Sequence, residues 1–157
     1  MDSPGLHRPE GDRSDDSSTE SALRLFSTDK ASQALGMQLV SAAAGAAEMR
    51  MTIRADMANG HGTCHGGFIF MLADSAFAFA CNCQGPPTVA AGATIDFLRP
   101  AKVGDVLTAT AREAWRGKQS GVYDIVVVGQ DQRIIALFRG RSHQLVPARV
   151  TTQASPS

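Results

Sequence analysis

Apolar positions in this chain fall into three patterns, and each predicts a different element. Ala22, Leu23, Leu25 and Phe26 recur at helical spacing behind Ser17 and Glu20, which have the separation of a capping box. A short helix is expected there, reaching Ala34. Met37 and Leu39, then Met49, Met51 and Ile53, alternate with other residues on either side of Gly45, as two strands joined by an Ala/Gly-rich hairpin would. From Gly66 to Cys83 the chain is apolar nearly all round, with Phe68, Ile69, Phe70, Met71, Leu72, Ala73, Ala76, Phe77, Phe79 and Ala80. A helix of that composition, about 25 Å long, has to be buried on most sides. Gln84, Gly85, Pro86 and Pro87 stop it, because proline cannot continue the helical hydrogen bonding. Four extended runs follow, Thr88 to Leu98, Val106 to Trp115, Tyr123 to Gly129 and Ile134 to Leu145, divided by turn signals.

The order is helix, two strands, one long buried helix, four strands. An antiparallel sheet of about six strands wrapped around a single apolar helix satisfies both periodicities. This α+β layout is the hotdog fold. The helix lies on the concave face of the sheet, and the other face is left to solvent or a second subunit. Residues 1–18 are rich in Ser, Asp, Pro, Gly and Arg without apolar periodicity and read as a disordered N-terminal tail, as do residues 150–157 at the other end. The domain between them spans residues 19–149.

Composition narrows the class. A chain of 157 residues holds one core, and its 43% apolar content is that of a globular protein. Lys plus Arg equals Asp plus Glu at 15 each, so no broad field favours nucleic acid or an anionic membrane, and neither is expected as a partner. Cys64, Cys81 and Cys83 are odd in number and lack disulfide spacing, so they read as reduced thiols of a cytoplasmic protein. Asp2, Glu10, Asp12, Asp15 and Asp16 exclude a signal peptide at the start of the sequence. No run approaches the ~18 apolar residues of a membrane span.

Chemistry concentrates at one junction. Asn59-Gly60-His61-Gly62-Thr63-Cys64-His65-Gly66-Gly67 runs straight into the apolar helix, which carries Asp74. Glycines at a helix start let a ligand approach backbone N–H groups that have no intrahelical partner and sit at the positive end of the helix dipole. Such donors hold an anion, or polarise a carbonyl whose oxygen turns negative during acyl transfer. The plain alternative is a turn that only permits a tight loop-to-helix junction, and the glycines alone favour it. Asp74 shifts the balance. A carboxylate among Leu72, Ala73, Ala76 and Phe77 is costly unless paired, hydrogen-bonded or used, and burial raises its pKa toward general-base territory. A structural aspartate bonded to backbone or to Ser75 is the competing reading. Gly66 and Asp74 stand roughly 12 Å apart along the helix. Atoms that react together must lie within about 3.5 Å, so a site using both residues has to be built between two antiparallel copies.

Asn59, then His65-Gly66-Gly67, then Leu72-Ala73-Asp74 resembles the signature of the phenylacetate-pathway (PaaI-like) hotdog thioesterases. Thr94 to Pro100, Gly117 to Asp124 and Ala136 to Gly140 are similar to the same group, so the likeness runs from about Ala31 to His143. The resemblance implies hydrolysis of an acyl-CoA thioester, phenylacetyl-CoA or a ring-hydroxylated relative. The apolar surface that pairing of two chains would bury points to a homo-oligomer, a dimer at least and a homotetramer by further pairing. The resemblance implies no separate cofactor, since coenzyme A enters as part of the substrate. Asp74 would be nucleophile or general base, Gly66 N–H would polarise the carbonyl, Asn59 would help place water, and His65 would shape the glycine turn. The serine or threonine that assists in some members has no counterpart in Val89-Ala90-Ala91-Gly92. Lys118, Arg139 and Arg141 are candidates for the CoA phosphates, with solvated strand charges as the alternative. His61, Cys64 and His65 lack a second ligand pair at zinc spacing, so no metal is expected. Trp115 and Tyr123 read as strand packing or acyl-pocket lining.

Two other functions fit the same fold. A dehydratase or hydratase needs a His and a carboxylate as an acid/base pair, and no histidine lies on the helix with Asp74. A non-catalytic acyl-CoA sensor needs a further interaction domain, for which the polar N-terminal segment is too short.

Overall fold

The computed structural model describes residues 13–83 and 85–145. Among these, the chain forms helices α1 (Arg13–Thr28), α2 (Lys30–Ala34) and α3 (Gly66–Asn82) and strands β1 (Gln38–Ala43), β2 (Ala46–Thr52), β3 (Thr88–Phe97), β4 (Val106–Arg116), β5 (Ser120–Val128) and β6 (Ile134–Gln144). The strands make one antiparallel sheet in the order β1-β2-β4-β5-β6-β3. The alternation that marked the strands is realised as burial. Leu107, Ala109 and Ala111 of β4, and Tyr123, Ile125 and Val127 of β5, point inward while their neighbours point out.

The first helix departs from the expectation in two ways. It begins at Arg13, inside the segment read as a tail, so Ser17 lies within the helix and is no cap. The cause is tertiary: Ala22 is buried and Phe26 meets Phe79 at 5.9 Å, and a helix anchored there extends into polar sequence at one hydrogen bond per residue. It also breaks at Asp29. The Asp29 carboxylate accepts from Ser32 N–H at 3.0 Å and from the Ser32 hydroxyl at 2.6 Å, and so caps α2 as a new helix. Residues 1–12 and 146–157, with the expected C-terminal tail, lie outside the described residues.

The α3 helix lies across the concave face, with Ile69, Leu72, Ala73, Ala76, Phe77, Phe79 and Ala80 buried. Each large side chain among them contributes about 1.5–3 kcal/mol of burial. Phe77 sits close enough to β6 that a Cβ at Gly140 would come within 2.8 Å of its ring. The helix is thus buried on most sides, as expected, but the sheet leaves one side of it uncovered. Gly66, Phe70, Asp74 and Ala78 form one i±4 ridge, and all four are half-buried or exposed. Beside it, β3 is an edge strand among the described residues. Its Val89 and Phe97, and Leu98 just after it, are 45%, 52% and 49% exposed. A ten-residue edge whose single charge is Asp96 invites pairing with another chain.

Because a methyl at Gly140 has nowhere to go, Gly140→Ala should cost about 1–3 kcal/mol of unfolding free energy, read as a lower denaturant midpoint at unchanged slope. A midpoint equal to that of the wild type would mean that Phe77 is free to shift.

Candidate active site

The loop before α3 is held by its own side chains. Asn59 Oδ1 accepts from the N–H groups of His61 (2.9 Å) and Thr63 (3.2 Å), while Asn59 Nδ2 donates to Thr63 Oγ1 at 3.1 Å. These bonds bind the 59–63 turn and leave one amide N–H for any other task. His65 is the N-cap of α3, and its Nδ1 accepts from Gly67 N–H at 2.9 Å. A neutral ring bonded in this way carries its proton on Nε2. Gly66 N–H, the next donor, has no acceptor among the described residues. It opens into a cleft of about 320 Å³ lined by Thr63, Cys64, Gly66, Ile69, Phe97, Leu98, Arg99 and Pro100. The Phe97 ring lies 3.0 Å from where a Gly66 Cβ would stand, so the cleft is apolar on that side and a larger residue at 66 would displace the ring.

Asp74 lies two turns further along the same ridge. Burial pushes its carboxyl pKa up, and no described residue hydrogen-bonds to it or pairs with it. The Ser75 hydroxyl turns the other way and bonds the Ser32 hydroxyl at 2.9 Å inside the core. That removes the structural reading in which Ser75 satisfies the aspartate. The structure therefore joins His65 to Gly66 at one end of the ridge and leaves Asp74 about 12 Å away along the helix.

The basic candidates fall elsewhere. Phe138 and Gly140 face α3, so Arg139 and Arg141 stand on the opposite face of the sheet. Arg139 makes a two-pronged bond to Asp124 at 2.6 and 2.9 Å. Arg141 lies over Gly92, and Lys118 is exposed on the β4–β5 turn. None of the three lines the Gly66 cleft: strand alternation turns Arg139 and Arg141 of β6 outward, and Lys118 sits on the β4–β5 turn. Arg99 does line it, with Nη1 donating to the Ile134 carbonyl at 2.8 Å. The sequence signal for Arg99 was its place between Leu98 and Pro100, but nothing in the pattern showed which end of the sheet that loop would reach. Tyr123 is buried against Phe77 and donates to Glu113 at 2.8 Å, as strand packing predicts. Trp115 is 56% exposed, its ring laid over Gly117, and lines neither core nor cleft. Burial holds the Cys64, Cys81 and Cys83 thiols up at about 11, far from a reactive thiolate. No group of three His, Cys, Asp or Glu side chains among the described residues has the arrangement of a metal site.

A family model described as thioesterase superfamily matches residues 61–136, which span the loop, α3 and the strands up to β6. The acyl-coenzyme A thioesterase PaaI of Escherichia coli (strain K12) is 52% identical over 126 residues, 80% of this chain and 90% of that protein. This chain belongs to the PaaI-like thioesterases. The solved structure of the E. coli PaaI protein from the phenylacetic acid degradation operon superposes on this thioesterase with a TM-score of 0.83 and 49% identity, covering 85% of this chain and 96% of that one. A point-mutant structure of the phenylacetic acid degradation protein PaaI from Thermus thermophilus gives a TM-score of 0.72 at 38% identity, covering 74% and 100%. The fold is thus the hotdog arrangement of this family, and the chain is a thioester hydrolase.

A carboxyl whose pKa is raised in the folded state stabilises that state below its ordinary unfolded value, and the stabilisation is lost as pH rises through the raised one. Asp74→Asn should therefore melt at a higher temperature than the wild type at pH 8. The gap should close as pH falls into the ordinary carboxylate range. Paired thermal melts from pH 4 to 8 check this, and a gap that widens toward acid would show that the carboxylate is stabilised by a partner.

Proposed function

We propose that this enzyme hydrolyses an arylacetyl-CoA thioester, phenylacetyl-CoA or a ring-hydroxylated relative, to the free acid and CoA. One observation carries the reading. A half-buried carboxylate with a raised pKa shares an open helix ridge with an N–H at the helix start, and neither finds a partner among the described residues. Gly66 N–H donates to the thioester carbonyl oxygen, and the positive end of α3 stabilises the charge that gathers there. Asp74 takes the proton of the attacking water and passes it to the departing sulfur, or attacks the carbonyl itself to form an anhydride that water then cleaves, its proton going to the sulfur. Either way the C–S bond breaks and CoA leaves as its thiol. His65 holds the glycine turn through its bond to Gly67, and Asn59 fixes the loop, its spare N–H directed to water. Phe97 gives the acyl group an aromatic wall. Arg99, without an acidic partner among the described residues, sits at the cleft for the anionic half of CoA, while Lys118 and Arg141 remain solvated alternatives.

The distance between Gly66 and Asp74 favours a site whose two ends come from two chains. An antiparallel pair brings each glycine turn to the other chain's aspartate, and the exposed β3 edge is the surface that joins them. The exposed Leu137 and Trp115 on the outer face of the sheet favour further pairing to a homotetramer. Unpaired cysteines, and the absence of any described helix long and apolar enough to cross a membrane, favour a cytoplasmic enzyme.

Asp74→Ala should lower kcat on phenylacetyl-CoA by ~10²- to 10⁴-fold with a small change in KM, as loss of a base or nucleophile does. Thiol release followed with a thiol reagent reads this directly. In the wild type, kcat/KM should fall toward acid with a midpoint above the ordinary ~3.9 of aspartate, since the raised pKa protonates the base earlier. Normal turnover in folded Asp74→Ala would overturn the assignment.

The two-chain site makes a separate prediction. Asp74→Ala and Gly66→Pro proteins, each inactive alone, should rescue one another when refolded together. Half of the random dimers are mixed and one of their two sites is intact, so about a quarter of wild-type sites should return. Absence of recovery, with mixed dimers confirmed by mass, would place the whole site in one chain.

A further inference from the structure

The ridge that carries Gly66 and Asp74 has a midpoint, and it is occupied by the largest open side chain on the helix. Phe70 is four residues from each, about 6 Å along the axis in either direction. It is 36% exposed where the buried faces of α3 are nearly closed, and one edge of its ring is fixed against Phe138 at 5.2 Å with a 68° tilt. The other side of the ring meets no aromatic group among the described residues. A closed pair related by a two-fold axis uses the same patch on both chains. If Gly66 of one copy is to reach Asp74 of the other, the helices run antiparallel and cross where the two residues are equidistant, which is at position 70.

Resting on the shared-site reading above, we propose that Phe70 stands on the two-fold axis against Phe70 of a second copy. The ring pair is the partition between the two active sites and the inner wall of each acyl pocket, and so a determinant of acyl length. The two carbonyl positions lie about 12 Å apart on either side of this partition. An acyl group directed toward the axis has about 6 Å before it meets a ring, room for an aryl or short chain and not for a long one. Phe97 at the Gly66 end and Phe70 at the axis then face the acyl group from two directions, an aromatic lining suited to a planar ring. Removing the ring pair joins the two pockets into one longer channel.

Two measurements test this. Phe70→Cys, oxidised mildly and run on a non-reducing gel, should give a covalent dimer, because copies on a two-fold axis bring their own thiols together. The native cysteines are buried, with pKa values of about 11, so they leave a quiet background. Ala78→Cys, exposed on the same ridge, is the control. Its two copies would stand about 24 Å apart and should stay monomeric on the gel. A cross-link at 78 and none at 70 overturns the placement. Separately, the ratio of kcat/KM for octanoyl-CoA to that for phenylacetyl-CoA should rise about 10- to 100-fold in Phe70→Ala. It should rise less in Phe70→Leu, which keeps most of the apolar volume if the alanine variant fails to fold, and fall in Phe70→Trp. An unchanged ratio in the folded leucine and tryptophan variants overturns the partition even where the cross-link forms. Rescue between Asp74→Ala and Gly66→Pro chains without a cross-link at 70 sinks this proposal and spares the shared site. Failure of that rescue sinks both.

Discussion

Everything in this molecule turns on how α3 is covered. Seventeen residues with one charged side chain cannot be left in water, and one six-stranded sheet curls around them. The close seat of Phe77 on Gly140 shows how tightly that cover is drawn. A curled sheet has two edges, however, and cannot close on a helix as a barrel would. One ridge of the helix therefore stays open beside β3, and the only carboxylate of the helix lies in it.

That opening converts a packing problem into chemistry. A half-buried carboxylate without a partner among the described residues is a destabilising feature in a lone chain, and burial raises its pKa. The same condition makes it a stronger base near neutral pH. At the other end of the ridge, the loop uses its hydrogen bonds on itself: Asn59 on His61 and Thr63, and His65 on Gly67. The N–H of Gly66 is the donor left over. Stability is given up at two points on one ridge, the same two positions to which the proposed reaction is assigned. Strained or unsatisfied groups of this kind mark functional sites more often than accidents of folding.

The sheet also sorts charges by face. Arg139 and Arg141 look like a phosphate clamp in the sequence, two basic residues one apart on a strand near the end of the chain. Alternation places both on the face away from α3, and Asp124 takes up Arg139. Arg99 gains a place at the cleft only because β3 lies beside β6 and the loop after it bends back over the start of the helix. A basic residue's use is decided by which side of a sheet it leaves, and that depends on strand order.

The amino-acid sequence determined the elements with strong periodicity. Six strands, the hairpin at Gly45 and the helix from Gly66 could be read from apolar spacing and from glycine and proline, because those signals act over a few residues. Asp74 and the glycine turn were legible for the same reason: a lone carboxylate in an apolar helix is a local anomaly. The start of α1, the break at Asp29, the partner of Ser75 and the place of Arg99 were not legible. Each rests on a contact between residues distant in sequence, such as Ala22 in the core or Ser32 on Ser75 across 43 positions. The open ridge is of that kind too. Composition said that α3 must be covered, and only the packed sheet decided which side would stay open.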